Sequence, residues 1–419
     1  MKIGVIGLGD MGRLFARIWS QKGFDVYGCD VPGKEEELQR ALPLVKILPD
    51  AVAVSRSCDV IMYAVETEKI EEVLRISGPS TKYGAIVTGQ TSVKTPEIKA
   101  FERHLPADAQ IVGSHALFGP SISPDGQIIA MYRHRCEEDA FEAVKQLYLS
   151  TGAMVEELES YKHHDQMMAD IQVITHVGFE SLGTAFMHRK AYPWEDKSQV
   201  QGIDNIKLLL TLRIFSYKPH VYSGLAFENP FAIKDVRKFA RIENELFGLM
   251  ITENKNALAS RVLKARDKVF GERKAPYMLD DKLMREYTLN PGSNHKPNSH
   301  LSLLTMVCTW ADLGIDPYKN MVCQTPPFRL RVGLAEYLFT NPDLLEESLE
   351  TAVKNKDYLI DDLAYHTAVH EWTNILELGD KKAYEKQFLA TSNFLGDRLE
   401  EGRDKSTHLL NRLIHEGRA

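Results

Sequence analysis

The sequence has little that would tie it to a membrane, a nucleic acid or an oxidising compartment. Its five cysteines, Cys29, Cys58, Cys136, Cys308 and Cys323, are scattered and form no C-x-x-C pair. That pattern excludes a disulfide framework and a zinc ribbon, and reads as reduced thiols in a cytoplasmic setting. Positive charge is not in excess either. A net charge of -7 argues against nucleic acid as the main partner, though a local basic pocket remains possible for an anionic ligand. No stretch approaches the run of ~18 apolar residues that a membrane span needs. The first strand pattern starts at residue 2, which leaves no place for a signal or transit peptide. Internal repeats and low-complexity segments are absent. What remains, 419 residues with 44% hydrophobic and 26% charged, fits two or three ordinary globular domains.

What is present begins at the N-terminus. Ile3 to Ile6 is a β-branched run that breaks at Gly7 and passes into the helical pattern Leu14, Phe15, Ile18, Trp19. Gly7, Gly9 and Gly12 stand in G-x-G-x-x-G spacing, with Leu8, Asp10 and Met11 between them. Such a turn lets backbone amides at a helix N-terminus approach a pyrophosphate. The spacing alone is weak, but a second strand, Asp25 to Asp30, ends in an acid about 20 residues further on, as a dinucleotide fingerprint requires. Asp30 would hydrogen-bond a ribose 2′-hydroxyl and repel a 2′-phosphate, which favours NAD; Lys34 is the nearest cation able to offset that repulsion.

Further apolar runs at Asp59–Val65, Gly84–Gly89, Gln110–His115, Ile128–Tyr132 and Ala153–Leu158 read as strands, with a helix over Glu138–Ser150. Strands alternating with helical patterns predict a Rossmann-like, doubly wound parallel sheet over residues 1–160. Ligands then sit beyond the carboxyl ends of the strands, where the Gln90-Thr91-Ser92 loop and His115 fall.

From residue 161 to 419 helical periodicity takes over, predicting an all-α second domain. A helix over 163–189 would put Asp165, Met168, Gln172 and His176 on one stripe, an unusual mixture for a plain core face, although a buried histidine satisfied by a neighbouring amide would also fit. Arg213 lies in the apolar run Leu208–Phe215 and needs a carboxylate partner, internal or from a substrate. Arg329 and Arg331 flank Leu330 in another apolar stretch, beyond the loop 290–297. His163 and His164 have no further acid or histidine at ligand spacing, so no metal is assigned. The charged stretch 397–405 reads as a solvated helix face.

Taken together, Gly7 to Gly12, Thr91-Ser92-Val93-Lys94, Ser114 to Pro120, His164-Asp165-Gln166 with His176, and Arg213 resemble prephenate dehydrogenase. The last third (291–419), with Asn298 to Leu304 and Leu313 to Tyr318, is similar to the fungal members in particular. The resemblance implies oxidative decarboxylation of prephenate to 4-hydroxyphenylpyruvate, with hydride passing to NADP, and a cytoplasmic homodimer of tyrosine biosynthesis. It implies that His115 accepts the proton of the substrate hydroxyl, that Ser92 orients His115, that Arg213 binds the ring carboxylate, and that His176 and Gln172 line the substrate pocket. Two positions depart from the family pattern: many bacterial members have His-Pro at His115-Ala116, and some carry a gating acid at the place of Ser121.

Three rival readings compete. Arogenate differs from prephenate by an amino group in place of the keto oxygen and would suit the same residues. A β-hydroxyacid dehydrogenase shares the glycine signature but needs a lysine on the first long helix of the second domain, and 163–187 contains none. A nucleotide-sensing regulator would keep the glycines without needing Ser92, His115 and Arg213 together.

Overall fold

The computed structural model describes residues 1–120, 122–195, 201–271, 273, 276, 278–288, 297–323 and 325–415. Ser121 and the loop 290–297, apart from Pro297, lie outside the described residues. The chain divides into two compact units, Met1–Gln166 with Glu228–Pro230, and Met167–Phe227 with Phe231–Ala419.

The first unit is built on eight strands: β1 (Lys2–Ile6), β2 (Asp25–Cys29), β3 (Lys46–Ile47), β4 (Val60–Tyr63), β5 (Ile86–Gly89), β6 (Gln110–Ala116), β7 (Ile128–Arg135) and β8 (Met154–Glu157). Helices α1 (Asp10–Gln21), α2 (Glu35–Ala41), α3 (Ala51–Ser57), α4 (Ile70–Ser77), α5 (Lys94–His104) and α6 (Glu138–Leu149) connect them. The order across the sheet is β3-β2-β1-β4-β5-β6-β7-β8. Period-two alternation sends Ile3, Val5, Val60 and Met62 to one face, where they pack with Phe15, Trp19 and Tyr148. Ile6, Ile61 and Tyr63 go to the other, with Leu74, Ile98 and Phe101. Helices therefore cover both faces, and the chain direction reverses between β1 and β4, the switch point beyond which such sheets bind ligands.

Two features differ from the sequence expectation. The two-residue strand β3 carries too short a pattern to be read. The sheet is also not wholly parallel: β7 runs antiparallel to β6, and β8 runs parallel to β7. The connection 117–127 contains no helix, and a parallel return would have required a crossover longer than it supplies.

The expected long helix over 163–189 is interrupted. It consists of α7 (Tyr161–Met168), a π-helical stretch Ala169–Val173, and α8 (Ile174–Arg189). A π turn takes an extra residue and shifts the register, so the spacing argument for a single stripe through Asp165, Met168, Gln172 and His176 fails there.

The second unit continues with α9 (Gly202–Phe215), α10 (His220–Glu228), α11 (Ala232–Ile251), α12 (Lys255–Phe270), α13 (Asp281–Glu286), α14 (Leu301–Leu313), α15 (Pro326–Thr340), α16 (Pro342–Lys354), α17 (Lys356–Glu377), α18 (Lys381–Leu395) and α19 (Arg398–His415). α8 is apolar on all sides and is its central rod: Ile174, Val177, Phe179, Thr184 and Ala185 are all buried. Its polar atoms are bound by its neighbours, Trp372 Nε1 donating to Thr184 Oγ1 at 3.0 Å and the Tyr384 hydroxyl to Glu180 Oε1 at 2.6 Å. The charged stretch 397–405 is solvated on one side only. Arg403, Asp404 and Lys405 are exposed, while Gly402, Ser406, Leu409 and Leu410 turn inward.

Candidate active site

The glycine turn joins β1 to α1. Gly7 has φ +94°, and a Cβ there would lie 2.6 Å from the Ala64 carbonyl oxygen; a Cβ on Gly12 would lie 1.9 Å from the carbonyl oxygen of Gly7. No other residue fits either place. A Cβ on Gly9 would meet nothing within 4 Å, so the space over the turn is open. The amides of Asp10, Met11 and Gly12 open α1 and have no partner within the helix, the arrangement that takes a phosphate. Leu8 is buried under the turn. Asp30 follows β2, accepts the Val31 amide at 2.7 Å and has Lys34 Nζ 3.6 Å from the same oxygen. The acid that argued for NAD thus carries a cation beside it.

His115 lies within β6 and not beyond its end. Its side chain faces away from that of Ser114, whose hydroxyl joins Thr88, Gln90 and Tyr148 on the opposite face of the sheet. His115 is the end of a buried chain of three side chains. Its Nδ1 is 2.9 Å from His164 Nε2, and His164 Nδ1 is 2.9 Å from Asp165 Oδ1. Asp165 also accepts the amides of Lys94 and Thr95, each at 2.7 Å, on its two oxygens, and so closes the N-terminus of α5.

This network assigns the tautomers. The ionised Asp165 requires Nδ1–H on His164, which leaves His164 Nε2 as an acceptor. His115 must then donate from Nδ1, and its Nε2 keeps a free lone pair. Burial lowers the pKa of His115 well below the ordinary histidine value, with His164 and Lys94 adding to the effect; His164 is lowered mainly by burial too. Burial alone would raise Asp165, but hydrogen bonds from His164, Lys94 and Thr95 outweigh it and hold the carboxyl below its usual range. The result is a neutral imidazole with one nitrogen fixed and the other ready to accept a proton.

The Ser92 loop is held from beneath. Lys94 Nζ is wholly buried and donates to the Gly89 carbonyl at 3.0 Å and to Glu97 Oε1 at 2.9 Å, while Glu97 Oε2 accepts the Thr91 hydroxyl at 2.6 Å. Ser92 itself is half-buried. Among the described residues its hydroxyl is not bonded to His115; His164 holds that ring.

The second unit contains a different cluster. Arg213, on α9, is buried, donates from Nη1 to Thr407 Oγ1 at 2.8 Å, and has no carboxylate partner among the described residues. Of the two partners open in the sequence reading, an internal acid is therefore not found there. His176 on α8 rests edge-on against Tyr222 with ring centroids 4.7 Å apart, and its Nδ1 is shut away without a hydrogen bond. Burial, and then Arg331, push its pKa well down. Gln172 is half-buried on the π turn. Arg331 on α15 was not singled out from the sequence, although the signal was the same as for Arg213: a cation inside an apolar run. Thr407 on α19 had no signal at all. Elsewhere in this unit Glu243, His366 and His370 bring possible metal donors within 4.8 Å of one another, with His366 Nδ1 2.8 Å from the Glu243 carboxylate.

Comparison with known proteins gives concordant findings. A family model described as "Prephenate dehydrogenase, nucleotide-binding domain" matches residues 15–155, and a 6-phosphogluconate dehydrogenase C-terminal domain model matches residues 173–415. A protein of Schizosaccharomyces pombe named "Probable prephenate dehydrogenase [NADP(+)]" is 39% identical over 99% of this chain and 97% of its own length. The Saccharomyces cerevisiae "Prephenate dehydrogenase [NADP(+)]" is 39% identical over 95% of this chain and 91% of its own. Among solved structures, prephenate dehydrogenase from Aquifex aeolicus in complex with hydroxyphenyl propionate and NAD+ covers 62% of this chain and 94% of that one, with TM-score 0.52 and 19% identity, a likeness of fold.

Proposed function

The chain belongs to the prephenate dehydrogenase family, and from that premise we propose that it oxidises and decarboxylates prephenate to 4-hydroxyphenylpyruvate with NADP+ as hydride acceptor. The observation that carries the chemistry is the chain Asp165–His164–His115, which leaves a neutral Nε2 as the only free nitrogen of His115.

The bound nicotinamide accepts the hydride from the carbinol carbon of the ring. As hydride departs, the hydroxyl proton must go to a base, and His115 Nε2 takes it. The imidazolium that forms is compensated through His164 by the carboxylate of Asp165, with no charge crossing open solvent. The ring carboxylate leaves as carbon dioxide when the ring becomes aromatic. Arg213 orients that carboxylate, with Thr407 sharing its N–H groups; a stronger grip would oppose conversion to a neutral product. His176 and Gln172 line the pocket on this reading, and Ser92 contributes at the nicotinamide side.

The glycine turn with the open amides of α1 holds the pyrophosphate. Lys34 beside Asp30 supports acceptance of a 2′-phosphate, in agreement with the cofactor named for the fungal relatives. A cytosolic homodimer belongs to the same reading. It is supported by five cysteines without a disulfide, and by the lack among the described residues of any helix long and apolar enough to cross a membrane.

The test is reduced-nicotinamide absorbance with purified protein, prephenate, and NADP+ or NAD+ in parallel, with arogenate as a control substrate. Turnover of prephenate with NADP+ is the expected result. Turnover of arogenate alone, or none with either acid, overturns the reading.

A further inference from the structure

The functional reading leaves one buried cation without work. Arg331 is 4% exposed, and among the described residues its Nε and Nη1 have no hydrogen-bond partner. Its guanidinium lies against two aromatic rings only, 4.5 Å from the centre of Phe328 and 5.1 Å from that of Phe179. Burial lowers its pKa to about 10, Tyr222 works against that shift and Arg213 adds to it, so it remains a cation at neutral pH. A buried guanidinium normally meets a carboxylate. The nearest acid in its field, Glu180, does not supply one: Oε1 accepts the Tyr384 hydroxyl, Oε2 has no partner, and burial raises that carboxyl to about 7. His176, whose Nδ1 is also unpartnered, shares Phe328 with Arg331.

Two buried guanidinium groups thus lie in one cluster, both without an acid among the described residues, and the substrate assigned above has two carboxylates. We propose that Arg331 is the anchor for the side-chain carboxylate of the substrate, the one that survives the reaction. This rests on the functional reading, and it divides the two arginines by chemistry. A carboxylate that becomes carbon dioxide is best held by a guanidinium whose N–H groups are partly engaged, as Thr407 engages Arg213. A carboxylate unchanged through the reaction can be gripped by unshared N–H groups in a desolvated site at no cost to the chemical step, because substrate and transition state are bound alike.

Calorimetric titration in the presence of NADP+ separates the roles, using prephenate and 4-hydroxyphenylpropionate, which keeps the side-chain carboxylate and lacks the ring one. Arg331→Gln should weaken both ligands by about 30-fold or more, the loss usual for truncating one member of a buried charge pair. Arg213→Gln should weaken prephenate by a similar factor and leave the propionate near its wild-type affinity. Wild-type affinity of Arg331→Gln for the propionate overturns the proposal, and so does loss of propionate binding in Arg213→Gln alone. If circular dichroism shows Arg331→Gln unfolded, Arg331→Lys decides: it keeps the charge without the fork, and should bind both acids several-fold more weakly, whereas unaltered binding overturns the assignment. A wild-type protein that binds the propionate but turns over no prephenate would break the functional reading and still leave the role of Arg331 decided by these titrations.

Discussion

The two clusters differ in how completely their polar groups are satisfied. In the first unit every nitrogen and oxygen of Asp165 and His164 has a partner, and only His115 Nε2 is left over. In the second unit Arg331 and His176 are buried with donors or acceptors unmatched. A closed network fixes protonation and orientation before any ligand arrives, which is what a base requires. An open one stores an unmet electrostatic demand, which is what recognition of an anion requires. The same physical rule, that buried polar groups need partners, gives a catalytic group in one place and a binding site in the other.

The sharpest way to break the comparison is at the free nitrogen. His115→Asn removes the base and should lower kcat by about 10²-fold or more with KM for prephenate little changed; an unchanged kcat would exclude the role. A step further back, His164→Asn cuts the link to Asp165 without touching the reacting atoms. It should lower kcat by about tenfold at constant KM and an unchanged thermal midpoint, whereas a purely structural role would move the midpoint instead.

The effect of pH follows from the directions of the shifts. His115 and His164 have folded values below the unfolded ~6.5, so between these values the unfolded chain binds more protons. Stability is therefore lost as pH falls below about 6.5, and Asp165, also lowered, adds a loss of the same sign at more acid pH. For the same reason the acid limb of kcat/KM should lie below pH ~6.5, and a limb at or above that value would contradict a neutral, buried His115. The smallest effect is at the cofactor. Lys34→Gln removes an exposed cation and should raise KM for NADP+ by about threefold while leaving NAD+ unaffected, in line with the modest worth of surface charges.

Much of this was legible in order along the chain. Gly7 and Gly12 were read correctly because a turn that brings backbone within van der Waals contact of backbone admits no Cβ, and that demand is local. The apolar runs of β1, β4 and β6 were legible because strands buried on both faces leave no alternation to misread. β3 was missed because two residues make no period. The direction of β7 was missed because direction depends on what the connecting segment can span, and no residue of the strand encodes that. The stripe through Asp165 and His176 failed because a spacing rule assumes an unbroken helix, and the π turn at 169–173 broke it.

By itself, then, the sequence determined the residue types and their order: a glycine turn followed by an acid, a histidine on a buried strand, and arginines embedded in apolar runs. Those follow from steric limits and hydrophobic patterning, which act over a few neighbouring residues. Only the tertiary structure decided which side chains are partners. It set His164 between His115 and Asp165, gave Thr407 to Arg213, and left Arg331 with aromatic faces and no acid among the described residues. Hydrogen bonds and charge pairs join atoms a few ångströms apart whatever their separation along the chain, and burial decides what each pairing is worth.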